Sequence, residues 1–152
     1  MLAYYLEQSR KTVDASGLER EGIVTFSLPI EPAEFAAPLE KIRTRRGYVE
    51  MDEIHLAPNT PDIEALCAKF FQEHLHTDEE IRFVTAGGGI FDIRDRHDDW
   101  LRVHIDAGDL VVIPAHSYHR FTLDERRTIT CKRLFKDTSG WTPVPRDIES
   151  TD

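Results

Sequence analysis

From Glu73 onward the sequence stops alternating with a helical period and begins alternating with a period of two. The stretches Glu80–Thr85, Ile90–Arg94, Trp100–Ile105, Leu110–Pro114, Tyr118–Leu123 and Thr128–Phe135 each place apolar residues at every second position. Short turn-rich pieces such as Ala107-Gly108-Asp109 separate them. Six short strands so spaced in half a chain must pair with one another, which predicts an all-β sandwich or barrel. Gly87-Gly88-Gly89 is expected to be a β-turn between the first two strands. It opens no helix, so a phosphate-cradling loop is not expected there.

The first half carries helical signals among shorter extended ones. Leu2–Leu6 and Ile23–Leu28 read as strands, and Tyr48–Leu56 as extended. Phe35, Leu39 and Ile42 share one face of a helix over Phe35–Arg46, with Gly47 as its stop. Pro61–Phe71 reads as a second helix with Pro61 at its first position and Asp62 and Glu64 in its first turn. The expectation is mainly β, one domain over 1–152: N-terminal strands and helices (1–69), a barrel over about 70–136, and a loosely packed tail (137–152).

Charge narrows the function classes. Nineteen Lys and Arg against 28 Asp and Glu give a net charge of −9. A chain so acidic lacks the basic face that nucleic acids and anionic membranes require, so neither is an expected partner. No apolar run reaches the ~18–20 residues of a membrane span, and the N-terminus has no signal-peptide pattern. Two cysteines, Cys67 and Cys131, cannot form a disulfide framework, so a reducing, cytoplasmic setting is expected.

The chemistry lies in His74-Leu75-His76-Thr77-Asp78-Glu79-Glu80. On an extended chain His74 and His76 project to one side, and Glu80 keeps that parity if the path stays extended. Two imidazoles and a carboxylate suit a first-row transition metal. His119 follows a proline-ended strand and could close the site from a neighbour. His55, His97 and His104 read as ordinary polar residues, with His104 facing solvent. Arg82, two residues beyond Glu80, shares its face, as Phe121 shares that of His119. Phe70 lies just before the ligand segment, and Arg133 shares parity with Ile129 and Cys131. No Ser or Cys has a partner that would make it a nucleophile.

These spacings resemble the two motifs of the cupin superfamily. His74, His76, Glu80 and Gly87 match the first, with Ala68 where a Gly is expected. Gly108, Pro114 and His119 match the second, with His116 and Leu123 in place of the usual Gly and Asn. His116 is expected to be a bystander at the pocket mouth.

The string Phe70-Phe71-Gln72-Glu73-His74-Leu75-His76, then Glu80-Ile81-Arg82-Phe83, Phe91-Asp92-Ile93-Arg94-Asp95, Tyr118-His119-Arg120-Phe121-Thr122 and Arg133-Leu134-Phe135 is similar to the acireductone dioxygenase family. Leu39-Glu40-Lys41-Ile42-Arg43, Arg46-Gly47-Tyr48 and Trp141 extend the match over about residues 35–142. The resemblance implies a cupin (jelly-roll) barrel and one Fe²⁺ or Ni²⁺ per chain held by His74, His76, Glu80 and His119. It also implies an acireductone substrate, an enediol cleaved by O₂ in methionine salvage. With Fe²⁺ the products would be formate and 4-methylthio-2-oxobutanoate; with Ni²⁺, carbon monoxide, formate and 3-methylthiopropanoate.

In that frame Arg82 would stabilise the bound oxyanion, and Phe70, Phe121 and Arg133 would line the substrate pocket. The chain is expected to act as a monomer in the cytoplasm, and also in the nucleus if the cell is eukaryotic. Two other classes remain open from the residues themselves. One is a cupin isomerase with the same ligands. The other is a binding or interaction module with a structural metal, although structural zinc usually closes a four-ligand tetrahedron.

Overall fold

The computed structural model describes residues 1–7, 11–136 and 143–146. In chain order the elements are β1 (Leu2–Tyr5), α1 (Ala15–Arg20), β2 (Val24–Ser27), α2 (Pro32–Arg46), β3 (Glu50–Leu56), α3 (Ile63–Phe71) and β4 (His74–Leu75). There follow β5 (Glu80–Arg94), β6 (Trp100–Asp106), β7 (Asp109–Ile113), β8 (His119–Leu123), β9 (Ile129–Phe135) and β10 (Val144–Pro145). Every strand pairing is antiparallel.

β5 organises the barrel because it belongs to both sheets. Its first half pairs with β7 and β9, to which β2 and β3 add as outer strands. Its second half pairs with β6 and β8, flanked by β1 and by β4 with β10. Three strands that precede residue 70 thus complete the two sheets.

The expected turn at Gly87-Gly88-Gly89 is corrected here: β5 runs unbroken through it for 15 residues. The register shifts between Val84 and Ala86, and the inward face changes with it. Glu80, Arg82 and Val84 point inward before the shift, and Phe91 and Ile93 after it. One extra residue at a bulge inverts a period-two pattern in this way. Gly87 has φ +68°, and a Cβ there would overlap the Thr128 carbonyl. The strand passes too close to its neighbours for any side chain, which is why three glycines read as a turn.

The interior core gathers Val84, Phe91, Ile93, Leu101, Val103, Ile105, Val111, Ile113, Ile129 and Cys131. A second cluster forms outside the sheet, where Phe35 and Leu39 of α2 pack on Ile81, Phe83, Leu110, Val112 and Leu134. Phe35 meets Phe83 edge-on at 5.1 Å between ring centroids. Alternate residues of β5, β7 and β9 therefore face two different cores. α2 stops at Gly47, whose φ of +78° suits a left-handed C-cap.

Two local expectations change. α3 begins at Ile63, because Asp62 is left-handed (φ +57°) and Pro61 precedes the helix in a turn. The described part of the tail is not loose: Val144 and Pro145 pair with Leu75 and His74, and Arg146 reaches Glu73 and Asp98. Trp141 lies outside the described residues. Among those described, no helix is long and apolar enough to cross a membrane.

Candidate metal centre

β4 is only two residues long, yet it fixes the centre. It places His74 directly across from His119 of β8, with ring centroids 4.6 Å apart. His76 follows on the same side, 5.7 Å from His119 between centroids. One ligating nitrogen from each ring lies within 4.8 Å of the others. Glu80, at the first position of β5, sends Oε2 to 2.6 Å from His119 Nε2 and 4.0 Å from His76 Nε2. The structure brings together the four side chains that the motif spacing selected.

Backbone carbonyls set the tautomers. His74 Nδ1 lies 2.6 Å from the Gln72 carbonyl and His119 Nδ1 2.9 Å from that of Ser117. A carbonyl only accepts, so each Nδ1 carries the proton and each Nε2 presents a lone pair, the arrangement that metal-binding histidines use. His119 is 2% exposed and Glu80 9%. Their facing atoms, Nε2 and Oε2, are buried and share no directed hydrogen bond with anything in the protein. Two lone-pair atoms so close repel unless a cation takes both. The donor set of three imidazole nitrogens and one carboxylate oxygen therefore fits a first-row transition ion.

The protonation states agree. Burial, helped by His119 and His76, pushes the His74 imidazole below its usual range despite the Gln72 carbonyl and Glu80. Burial alone would raise the Glu80 carboxyl, but the Arg82 guanidinium beside it holds it well below the ordinary carboxylate range. A neutral imidazole and an ionised carboxylate are the forms that ligate metals.

Above the cluster opens a narrow cleft. Its walls are apolar: Ile54 and Leu56 from β3, Phe70 from α3, Phe91 from β5, Ile105 from β6, Phe121 from β8, and Ile129 and Cys131 from β9. Phe121 sits between Phe91 and Phe70, 5.0 and 6.3 Å away between centroids. Arg82 lines the cleft and is ion-paired with Glu80 Oε1. Arg133 lines it too and is paired with Asp52. Sequence parity missed Phe91 because the bulge in β5 inverts the count. Ile54 and Leu56 carried no signal, since β3 was read only as extended.

The remaining histidines lie elsewhere. His55 meets Thr130 Oγ1 on the surface and His97 is exposed. His104, expected to face solvent, is half-buried: it stacks on Tyr4, whose hydroxyl lies 3.1 Å from its Nε2. His116 is exposed, in a left-handed turn with φ +63°, and lines neither part of the cleft.

A sequence profile of the ARD/ARD' family matches residues 7–143. The chain belongs to that family. It is 40% identical to the acireductone dioxygenase of Dictyostelium discoideum, over 96% of this chain and 99% of that one. With the acireductone dioxygenase of Ixodes scapularis the identity is 46%, over 86% of this chain and 72% of the other. Among solved structures it superposes on acireductone dioxygenase from Bacillus anthracis with a cadmium ion in its active centre. That TM-score is 0.87 at 28% identity, covering 95% of this chain and 98% of that one. The barrel is thus the cupin fold of an acireductone dioxygenase family enzyme, and a metal occupies the active centre of the Bacillus relative.

Proposed function

We propose that this chain is a metal-dependent dioxygenase that cleaves acireductone, 1,2-dihydroxy-3-oxo-5-methylthiopentene, with O₂ in methionine salvage. The observation that carries the reading is the pair of buried, unpartnered atoms, Glu80 Oε2 and His119 Nε2, 2.6 Å apart at the floor of an apolar cleft. His74, His76, Glu80 and His119 would hold one Fe²⁺ or Ni²⁺. The ion, when bound, supplies Lewis acidity and a template for two neighbouring substrate oxygens.

The chain's own residues do the rest. The Arg82 guanidinium, always charged and fixed against Glu80, faces the cleft where an enediolate oxygen would lie and stabilises its charge. Phe70 and Phe121, with Phe91 behind them, form an apolar wall for the methylthio tail and keep water from the enediol. Arg133 adds a second cation at the mouth, suited to the carboxylate of a departing product. A closed tetrahedral structural site would have no use for such a cleft or for Arg82. Residues 1–152 would act as one domain, as a monomer, in the cytoplasm and in a eukaryotic cell also the nucleus.

The test strips the protein with a chelator, reloads it with each ion separately, and follows oxygen uptake and headspace gas on acireductone. The Fe²⁺ form should give formate and 4-methylthio-2-oxobutanoate. The Ni²⁺ form should give carbon monoxide, formate and 3-methylthiopropanoate. No oxygen uptake with either ion sinks the dioxygenase reading. Identical products from both remove the metal-controlled choice of products and leave the dioxygenase.

A further inference from the structure

The cleft wall carries two arginines side by side. Arg82 of β5 and Arg133 of β9 are direct cross-strand partners, and both line the space that Glu80 borders. Like charges directly opposite one another across an antiparallel pair repel. One strand further out, β3 places Asp52 directly across from Arg133. A single row over three strands thus reads Arg82, Arg133, Asp52, with Glu80 two residues before Arg82 on the same face.

Each guanidinium has its own carboxylate. Arg82 pairs with Glu80 Oε1. Arg133 donates from Nε to Asp52 Oδ1 at 2.8 Å and from Nη2 to Oδ2, the two-bond fork that fixes orientation best. Asp52 itself lines neither part of the cleft. The other carboxylates at its mouth, Asp78 and Glu79, are engaged by Lys136 and Arg46. If Asp52 released it, Arg133 would stand beside Glu80, the one buried carboxylate on that wall.

We propose that Asp52 is a positioning residue for the metal site, holding Arg133 so that Glu80 serves Arg82 and the metal alone. The inference rests on the metal-site reading above. A second guanidinium on Glu80 would draw charge from Oε2 and compete with the ion for it. Outer partners of ligating carboxylates affect metal affinity by roughly tenfold or more.

The test is Ni²⁺ affinity, measured on chelator-stripped protein by equilibrium competition with a chelator, with thermal unfolding recorded beside it. Asp52→Asn should weaken Ni²⁺ binding about tenfold, and Asp52→Glu should restore most of it. Asp52→Asn combined with Arg133→Gln should also bind nearly as wild type, because no released cation remains. Wild-type affinity in Asp52→Asn, or a double variant as weak as the single, overturns the proposal. An ion pair that serves only the fold would lower the unfolding temperature and leave the affinity unmoved, which counts equally against it. Should Asp52→Asn fail to fold, Arg133→Gln carries the test: it must bind Ni²⁺ at least as tightly as wild type, and weaker binding overturns the idea. Wild-type protein that binds no Ni²⁺ fails the metal-site reading instead.

Discussion

The backbone N–H of His116 donates to the carbonyl of His76 at 2.8 Å. This bond ties the turn before β8 to the segment after β4, and so links the stretches that carry His119 and His74. In making it, His116 adopts the left-handed region, with φ +63°. The sequence showed a histidine where the cupin pattern has glycine. The fold keeps the glycine-like backbone and bears the strain.

His116→Gly should therefore stabilise the protein. A side chain in the left-handed region costs roughly 1–2 kcal/mol, and glycine's greater freedom in the unfolded chain returns part of that gain. A net gain of about 0.5–1 kcal/mol in urea unfolding is expected, with metal content unchanged because the N–H remains. A loss of stability would mean the imidazole makes a contact worth more than the strain.

Metal content separates the histidines. His74→Ala, His76→Ala and His119→Ala should each lower Ni²⁺ affinity by more than about tenfold, the cost of losing an outer partner alone. His97→Ala, on the surface, and His104→Ala, held by Tyr4, should leave it unchanged. Retention of full metal by any of the first three variants would remove that residue from the ligand set.

Gly87→Ala and Gly47→Ala make a paired test of the bulge. Both positions have positive φ, but a Cβ at Gly47 meets nothing within 4 Å, whereas at Gly87 it meets Thr128 and Ile129 backbone. Gly47→Ala should cost about 1 kcal/mol, and Gly87→Ala about 2–4 kcal/mol once the overlap is added. Equal losses in chemical denaturation would show that the strand can move aside.

The same bulge marks where the sequence was legible and where it was not. Strands β6 to β9 announced themselves, because Leu101, Val103 and Ile105 alternate with Trp100, Arg102 and His104, and one face must be dry. His74, His76 and Glu80 were legible from their spacing in the motif, although the chain bends at Thr77 and Asp78 before Glu80 opens β5. Phe91 was not, since the extra residue near Val84 and Ala86 inverts the count beyond it. Ile54, Leu56 and Asp52 were hidden for another reason. They reach the site through the pairing of β3 with β9, a long-range register that no local pattern encodes.

Acid should weaken the anchoring of β4 through Glu73. Burial alone would raise this carboxyl, but Arg94 and Arg146 together hold it below its usual value. A depressed native value means the stabilisation is complete above about pH 4.5 and fades as pH falls through the lower folded value. Glu73→Gln should therefore be less stable than wild type at pH 6, by about 1 kcal/mol for a partly exposed network. The two should converge as pH falls through the folded value. A difference that persists once the carboxyl is protonated would assign the effect to packing rather than charge.

Arg82 offers the most direct separation of binding from chemistry. Its guanidinium bonds Glu80 and lines the cleft, so it can act on a substrate oxyanion or only restrain the ligand. If it acts on the oxyanion, Arg82→Ala should lose about 10²-fold in kcat, the scale of one preorganised donor. The protein should still load metal, since His74, His76, Glu80 and His119 all remain and strand pairing still sets His74 across from His119. Lysine would restore the charge but not the fork, and should recover only part of the rate. Phe70→Ala and Phe121→Ala should instead raise KM with little change in kcat, because an apolar wall holds substrate and transition state alike. Metal content measured on each preparation decides between the roles. If Arg82→Ala loses its metal in step with its rate, Arg82 serves the Glu80 carboxylate and leaves the substrate alone.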